Sequence, residues 1–137
     1  MTAFALLFTL AAIGIAETAY LIRKRIESEK PMCPIGGGCT IVLGSRYNKT
    51  LGVHNDLLGL LFYFGMGLAT SLLVIGALPF DWQIVLSDLM ILMVAAALFM
   101  SAYFFYLQWR VIKAWCFWCL MSALTIVCMT IILTGHR

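Results

Sequence analysis

Four long apolar stretches, separated by clustered charges, constrain this 137-residue chain more than any other feature. They run from Ala3 to Ile22, interrupted only by Glu17, from Leu57 to Leu78, from Leu89 to Trp109 and from Ala114 to Thr134. A helix rises about 1.5 Å per residue and a bilayer's hydrocarbon core is about 30 Å thick, so roughly 20 apolar residues are enough to cross it. In lipid every backbone amide has to be satisfied by its own segment or by a closed barrel. Period-2 alternation is missing and the chain is too short for a polar-lined barrel. The sequence therefore predicts an all-α integral membrane protein: a single domain over 1–137, four transmembrane helices, and a long cysteine-bearing loop, Arg23 to Asp56, between helices 1 and 2. Only 11% of residues are charged, against about 25% in soluble domains, so a water-soluble globular protein is excluded. Membrane lipid is the expected surrounding, with no nucleic-acid partner. The first stretch has no basic residue before it and no small-x-small site at its end, so it is expected to stay as a helix and not to act as a cleaved signal.

Composition alone suits a transporter, a channel subunit or an assembly factor equally, and the five cysteines separate them. Cys33 and Cys39 lie in Cys-Pro-Ile-Gly-Gly-Gly-Cys of the long loop; Cys116 and Cys119 form Cys-Phe-Trp-Cys where the fourth helix begins. In an antiparallel four-helix bundle the segments after helices 1 and 3 emerge on one face, so the two pairs are predicted to meet. A C-x-x-C at a helix start suits dithiol chemistry, because unpaired amides and the helix dipole stabilise a thiolate there. The glycine run lets the loop pair swing between an outside partner and the membrane pair, and exchange between them proceeds through mixed disulfides. The competing readings are a static disulfide framework and a four-cysteine zinc site in a small structural membrane subunit; the expectation is no metal. Cys128, nine residues past Cys119, points to the opposite helix face and is expected to be a bystander.

The residues now resemble those of the vitamin K epoxide reductase family of membrane thiol oxidoreductases across nearly the whole chain. The likeness is carried by the loop pair ending in Cys39, by Ser45-Arg46-Tyr47 with Gly52 after it, by Asn55-x-x-x-Gly59-x-x-x-Tyr63, by Tyr103, and by the C-x-x-C at Cys116 and Cys119. The resemblance implies a four-helix bundle around a quinone of the ubiquinone, menaquinone or vitamin K type. Cys119 would lie beside the quinone, Cys116 would exchange with Cys39, and Cys33 would meet a thioredoxin-like, DsbA-like partner. Electrons would run from the partner through Cys33/Cys39 and Cys116/Cys119 to the quinone, supporting disulfide bond formation. Quinone contacts are expected from Asn55, Tyr63, Tyr103, Trp118 and Ala123. Ala123 also follows from spacing, since it lies four residues after Cys119 on the active face of the helix, where a small side chain leaves room for a flat ring. Asn55 is expected to donate to a quinone carbonyl, to cap helix 2, or both. Animal enzymes of this family carry a tyrosine where Ala123 stands, which points toward the microbial branch, whose members act in the manner of the disulfide-forming membrane protein DsbB.

Glu17, about a turn from the end of helix 1, reads as a functional ionisable residue, as a snorkelling side chain or as a partner of Arg23. Trp82, Trp109, Trp115 and Trp118 read as an aromatic belt, and Trp115 and Trp118 also as walls of the quinone site. Two arguments about orientation oppose each other. The cysteine face carries Arg23, Lys24, Arg25, Lys30, Arg46, Lys49, Arg110 and Lys113 and the other face only Arg137, which by the positive-inside rule places the cysteines in the cytoplasm. The resemblance, and the oxidising conditions that disulfide chemistry prefers, place them outside. The expectation is a multi-pass protein of the cell membrane with its cysteines on the extracytoplasmic face.

Overall fold

A computed structural model describes residues 1–34 and 36–136. Four helices are long and apolar enough to cross a membrane, over Thr2–Ile26, Asn55–Ile75, Phe80–Ile112 and Phe117–Gly135. In chain order the elements are α1 (Thr2–Ile26), α2 (Gly38–Leu43), a 3-10 turn (Arg46–Asn48), β1 (Lys49–Thr50), β2 (Val53–His54), α3 (Asn55–Ile75), α4 (Phe80–Tyr106), a π-helical segment (Leu107–Ile112) and α5 (Phe117–Gly135). The protein is a membrane bundle of α1, α3, α4 and α5. Large apolar side chains such as Phe8, Leu61, Phe64, Leu92, Phe99 and Ile131 stand on its outside, as a hydrocarbon solvent requires.

The boundaries differ from the hydropathy reading in two instructive places. The third membrane helix begins at Phe80, well before Leu89, because Asp81 falls in its first turn, where a negative charge complements the amide dipoles, and Pro79 stands at its N-cap. It then runs on through the π segment to Ile112, where Lys113 turns into the left-handed region at φ 55°. Such a rod, 33 residues long and about 50 Å at 1.5 Å per residue, outreaches the hydrocarbon core, so its last turns belong to the cysteine end of the bundle. The second difference is that the long loop is largely ordered. α2 holds Cys39, and β1 and β2 form a minimal antiparallel hairpin with Lys49 opposite His54 and Thr50 opposite Val53.

Residues on the inner faces of the four helices make the core: Leu7 and Ala11 from α1, Tyr63 and Met66 from α3, Met90 and Val94 from α4, Ile126 and Met129 from α5. The seam of α1 reads Leu7, Ala11, Gly14, Glu17 and Thr18, all buried, a spacing of three and four that keeps one stripe inward. Between lipid-solvated helices association relies on close packing, and small residues permit it. Gly14 is the extreme case, since a Cβ there would occupy the space of the Tyr63 ring. At the cysteine end Arg25 Nε and Nη2 donate to Asp56 Oδ2 and Oδ1 at 2.8 and 3.3 Å, tying the last turn of α1 to the first turn of α3.

Gly14→Val is expected to destabilise the detergent-solubilised protein by about 1–3 kcal/mol, the usual cost of overpacking. Gly65→Ala, whose Cβ would meet only the flexible tip of Met93 at 3.4 Å, is expected to leave thermal unfolding nearly unchanged. Equal melting behaviour of the two variants would contradict this account of the α1/α3 contact.

Candidate functional site

Four of the five cysteines come together at one end of the bundle. Cys33 and Cys39 are joined in a disulfide with their Cα atoms 5.9 Å apart. Cys116, Cys119 and Cys128 are free thiols. Cys39 and Cys116 are both fully buried and share a cluster with Val42, around which Cys33, Phe117, Trp118 and Cys119 pack. Cys128 is outside that cluster.

The loop pair is held rather than slack. Cys39 is set in α2, whose start at Gly38 lies against the backbone of Trp115 so tightly that a Cβ at residue 38 would collide with the Trp115 carbonyl. Just before Cys33, the Met32 N–H donates to Tyr20 Oη at 3.0 Å, and the Met32 carbonyl accepts from Trp118 Nε1 at 2.7 Å. The Tyr20 and Trp118 rings lie 4.9 Å apart. The segment carrying Cys33 is thereby pinned between α1 and α5.

Cys116 occupies the N-cap position of α5. Its backbone N–H is buried beyond the reach of any helical partner, and Gln108, 2% exposed on the π segment, accepts from it through Oε1 at 2.8 Å. A hydrogen bond from the Cys119 thiol holds the Cys116 thiol below its ordinary pKa, the amides of Cys119 and Trp118 add to the effect, and burial opposes it. The amide contribution is the one expected at a helix start, and it is smaller than that of the Cys119 thiol.

Beside this cluster lies a cavity of ≈ 390 Å³, within the size range of small-molecule sites. Most of its wall is apolar, with Phe62, Met93, Ala97, Met100, Phe104 and Ile126 among the lining residues. Cys119 lines it and Cys116 does not. One cysteine of the C-x-x-C therefore opens onto the cavity while the other is packed against the loop disulfide.

Of the residues expected at a quinone, Asn55, Tyr63, Trp118 and Ala123 line this cavity. The Asn55 carboxamide is oriented by Thr50 Oγ1, which donates to its Oδ1 at 2.8 Å, and by the Tyr47 carbonyl, which accepts from its Nδ2 at 3.0 Å. Asn55 is the first residue of α3 and His54 takes the N-cap position, so the capping role expected for Asn55 is not found. Tyr63 is completely buried, its hydroxyl 2.6 Å from Ser122 Oγ. Tyr103 is not brought to it: it is 45% exposed, packs its ring beside Phe104, and is not among the lining residues. Met100 and Phe104 turn toward the cavity, and at about 100° per residue Tyr103 falls past the edge of that face.

Glu17 does not pair with Arg23. It is six residues from Arg23, on the far side of the helix, and Arg23 bonds Glu27 instead, Nε to Oε1 at 3.0 Å. Glu17 is 9% exposed and lines the cavity. Gln108, Ser122 and the Arg25–Asp56 pair were not singled out by sequence. A lone glutamine in an apolar helix end is the only signal that marked any of them. Cys33 and Cys39 are bonded to each other, and no group of three or more His, Cys, Asp or Glu placed to hold a metal ion occurs among the described residues.

The fold and site together define a class: a helical membrane protein with a disulfide and a dithiol in one buried cluster at the edge of an apolar cavity. Residues 5–134 match the model of the Vitamin K epoxide reductase family, nearly the whole chain, and the protein belongs to that family of membrane thiol oxidoreductases.

Because the Cys116 pKa is below its unfolded value, the thiolate contributes stability that is present above the unfolded pKa and is lost as pH falls through the folded one. A thiolate ultraviolet titration is expected to show a midpoint below the roughly 8.5 of an unperturbed thiol. Cys119→Ala, which removes the largest stabilising contact, is expected to move that midpoint upward. A midpoint that does not move would mean that the helix terminus alone sets it.

Proposed function

We propose that the protein oxidises the dithiol of a thioredoxin-like, DsbA-like partner and passes the electron pair through Cys33/Cys39 and Cys116/Cys119 to a quinone in the cavity, so supporting disulfide bond formation. The observation that supports this most directly is the division of the C-x-x-C, with Cys116 sharing a buried cluster with Cys39 and Cys119 lining the cavity.

Cys33, the less buried member of the loop pair, is the sulfur a partner thiolate attacks, and Cys39 leaves. The partner's second cysteine then displaces Cys33 and departs oxidised, leaving Cys33 and Cys39 reduced. Cys39 next attacks Cys116 of an oxidised Cys116–Cys119 pair and Cys119 leaves as a thiolate. Cys33 then displaces Cys116 from Cys39. The low pKa of Cys116 favours this last step, since a thiol of lower pKa leaves faster. The resulting state has the loop pair bonded and the helix pair reduced, the same redox form as the structure described here.

The cavity fits a quinone by its chemistry. It is apolar and has Cys119 at its wall, Ala123 leaves space for a ring, and Asn55 presents an oriented carboxamide with a second N–H beyond the one given to Tyr47. A bound quinone supplies a two-electron, two-proton acceptor. Trp118, Phe62 and Asn55 are the lining residues that would hold it, the aromatic pair by contact and Asn55 by a hydrogen bond to a carbonyl; Tyr63, whose hydroxyl is engaged by Ser122, shapes the wall. The choice among ubiquinone, menaquinone and a vitamin K type follows from substituents this wall tolerates. The proposed setting is the cell membrane with the cysteine end extracytoplasmic.

Anaerobic reduction of a short-chain quinone by the purified protein with a reduced thioredoxin-like donor tests the relay. Wild type is expected to turn over, Cys119→Ser to be inactive with every donor, and Cys33→Ser to be inactive with the protein donor yet active with a small dithiol. Failure of wild type to reduce quinone would overturn the reading in favour of a subunit with structural cysteines. A reporter fused after Arg137 is expected to lie in the cytoplasm, and a terminus on the other side would invert the orientation.

A further inference from the structure

Glu17 is a carboxyl within the apolar stretch of a membrane helix, on the stripe of α1 that packs inward with Leu7, Ala11, Gly14 and Thr18. It is nine-tenths buried, it lines the cavity, and its Oε2 has no hydrogen-bond partner among the described residues. The nearest basic side chains along the helix are committed elsewhere: Arg23 to Glu27, Lys24 to Glu29 and Arg25 to Asp56. Packing gives no account of such a group, because an unpaired polar atom in an apolar site costs free energy that a leucine would not. Ionisable residues that face a cavity inside a membrane bundle characteristically hold or relay protons.

The redox step proposed above creates a need for one. Oxidising Cys116 and Cys119 to a disulfide yields two electrons, and a quinone that accepts them also takes two protons. Cys119 carries one proton on its thiol. Cys116, whose thiol is held below its ordinary pKa by the Cys119 hydrogen bond, brings no proton when it reacts as the thiolate, the nucleophilic form. We propose that Glu17 supplies the second proton to the quinone oxygen as the Cys116–Cys119 disulfide forms. In balance, the Cys116 thiolate, the Cys119 thiol, the Glu17 acid and the quinone become the disulfide, the Glu17 carboxylate and the quinol. The S–S bond forms, one S–H and one carboxyl O–H break, two quinol O–H bonds form, and total charge is unchanged. The polar lining residues Ser45, Tyr47, Asn48 and Asp56 are the groups through which Glu17 would regain its proton.

This assignment rests on the quinone reading of the cavity. The other titratable groups on the same wall are Asp56 and Tyr63 from α3, Tyr47 from the loop and Cys119 from α5; α4 contributes no titratable side chain to it. Asp56 is paired with Arg25 and the Tyr63 hydroxyl is engaged with Ser122, so Glu17 is the group whose proton is not already shared.

Two measurements test it. Dicyclohexylcarbodiimide, an apolar reagent that adds to protonated carboxyls, is expected to label Glu17 in the intact solubilised protein at neutral pH, and a saturating short-chain quinone is expected to protect it. No label at Glu17, or a label that quinone leaves unchanged, overturns the proposal, and this readout needs no variant that might fail to fold. In single turnovers of the pre-reduced protein, Glu17→Gln is expected to slow quinol formation about a hundredfold, the scale of a lost general acid, while reduction of the Cys33–Cys39 disulfide by a small dithiol stays within twofold of wild type. Glu17→Asp is expected to retain part of the rate. Equal quinol rates for wild type and Glu17→Gln, or a deficit abolished by saturating quinone, overturn the Glu17 role and leave the relay standing. A wild type that forms no quinol overturns both.

Discussion

A peptide group in hydrocarbon has no solvent to bond to, and this constraint organises the whole molecule. Through the membrane the chain has to be helical, so all of its irregular backbone is driven to the ends of the rods. Three irregular segments gather at one end: the ordered loop between α1 and α3, the π turn that finishes α4, and the extended residues leading into α5. The thiol chemistry is therefore concentrated where helix termini offer unpaired amides. Cys116 stands at such a terminus, and its sulfur takes the benefit that a capping oxygen would otherwise have.

The two halves of the site make opposite demands, and the C-x-x-C meets both because it straddles a helix start. Thiol exchange needs a sulfur stabilised as an anion beside the loop pair, whereas a quinone needs a dry apolar slot. Cys119 lies three positions after Cys116, close to one turn, so the two sulfurs remain neighbours while facing different surroundings. The Cys119 thiol donates toward Cys116 and lines the cavity. The supports are specific: Gln108 accepts the Cys116 amide, and Tyr20 and Trp118 hold Met32 beside Cys33.

Much of this was legible along the chain. Hydropathy located four helices, the cysteine spacings predicted two pairs on one face, which the fold brings together, and the pattern from Cys33 to Cys119 led to the family that the match over residues 5–134 then established. The losses were local and have physical causes. The start of α4 was placed late because Asp81 and Asp88 interrupt the apolar run, although an interfacial helix tolerates them. Tyr103 was expected at the cavity from motif matching, but the azimuth of α4 turns it outward. Gln108 was invisible because its π segment breaks the periodicity from which its direction would have been extrapolated.

By itself the sequence determined everything that depends on solvent and on near neighbours. Runs of apolar residues have to be helices in lipid, a C-x-x-C has to begin the last one, and odd and even connections have to fall on opposite faces. Only the tertiary structure decided what faces what. Glu17 lines the cavity instead of pairing with Arg23, Arg25 finds Asp56 across 31 positions of sequence, and Gly14 admits the ring of Tyr63. These choices depend on the rotation of each helix about its own axis. Hydropathy scarcely registers that rotation in a membrane, because the inner and outer faces of such helices are both apolar, and it is settled by the packing of small residues against large ones.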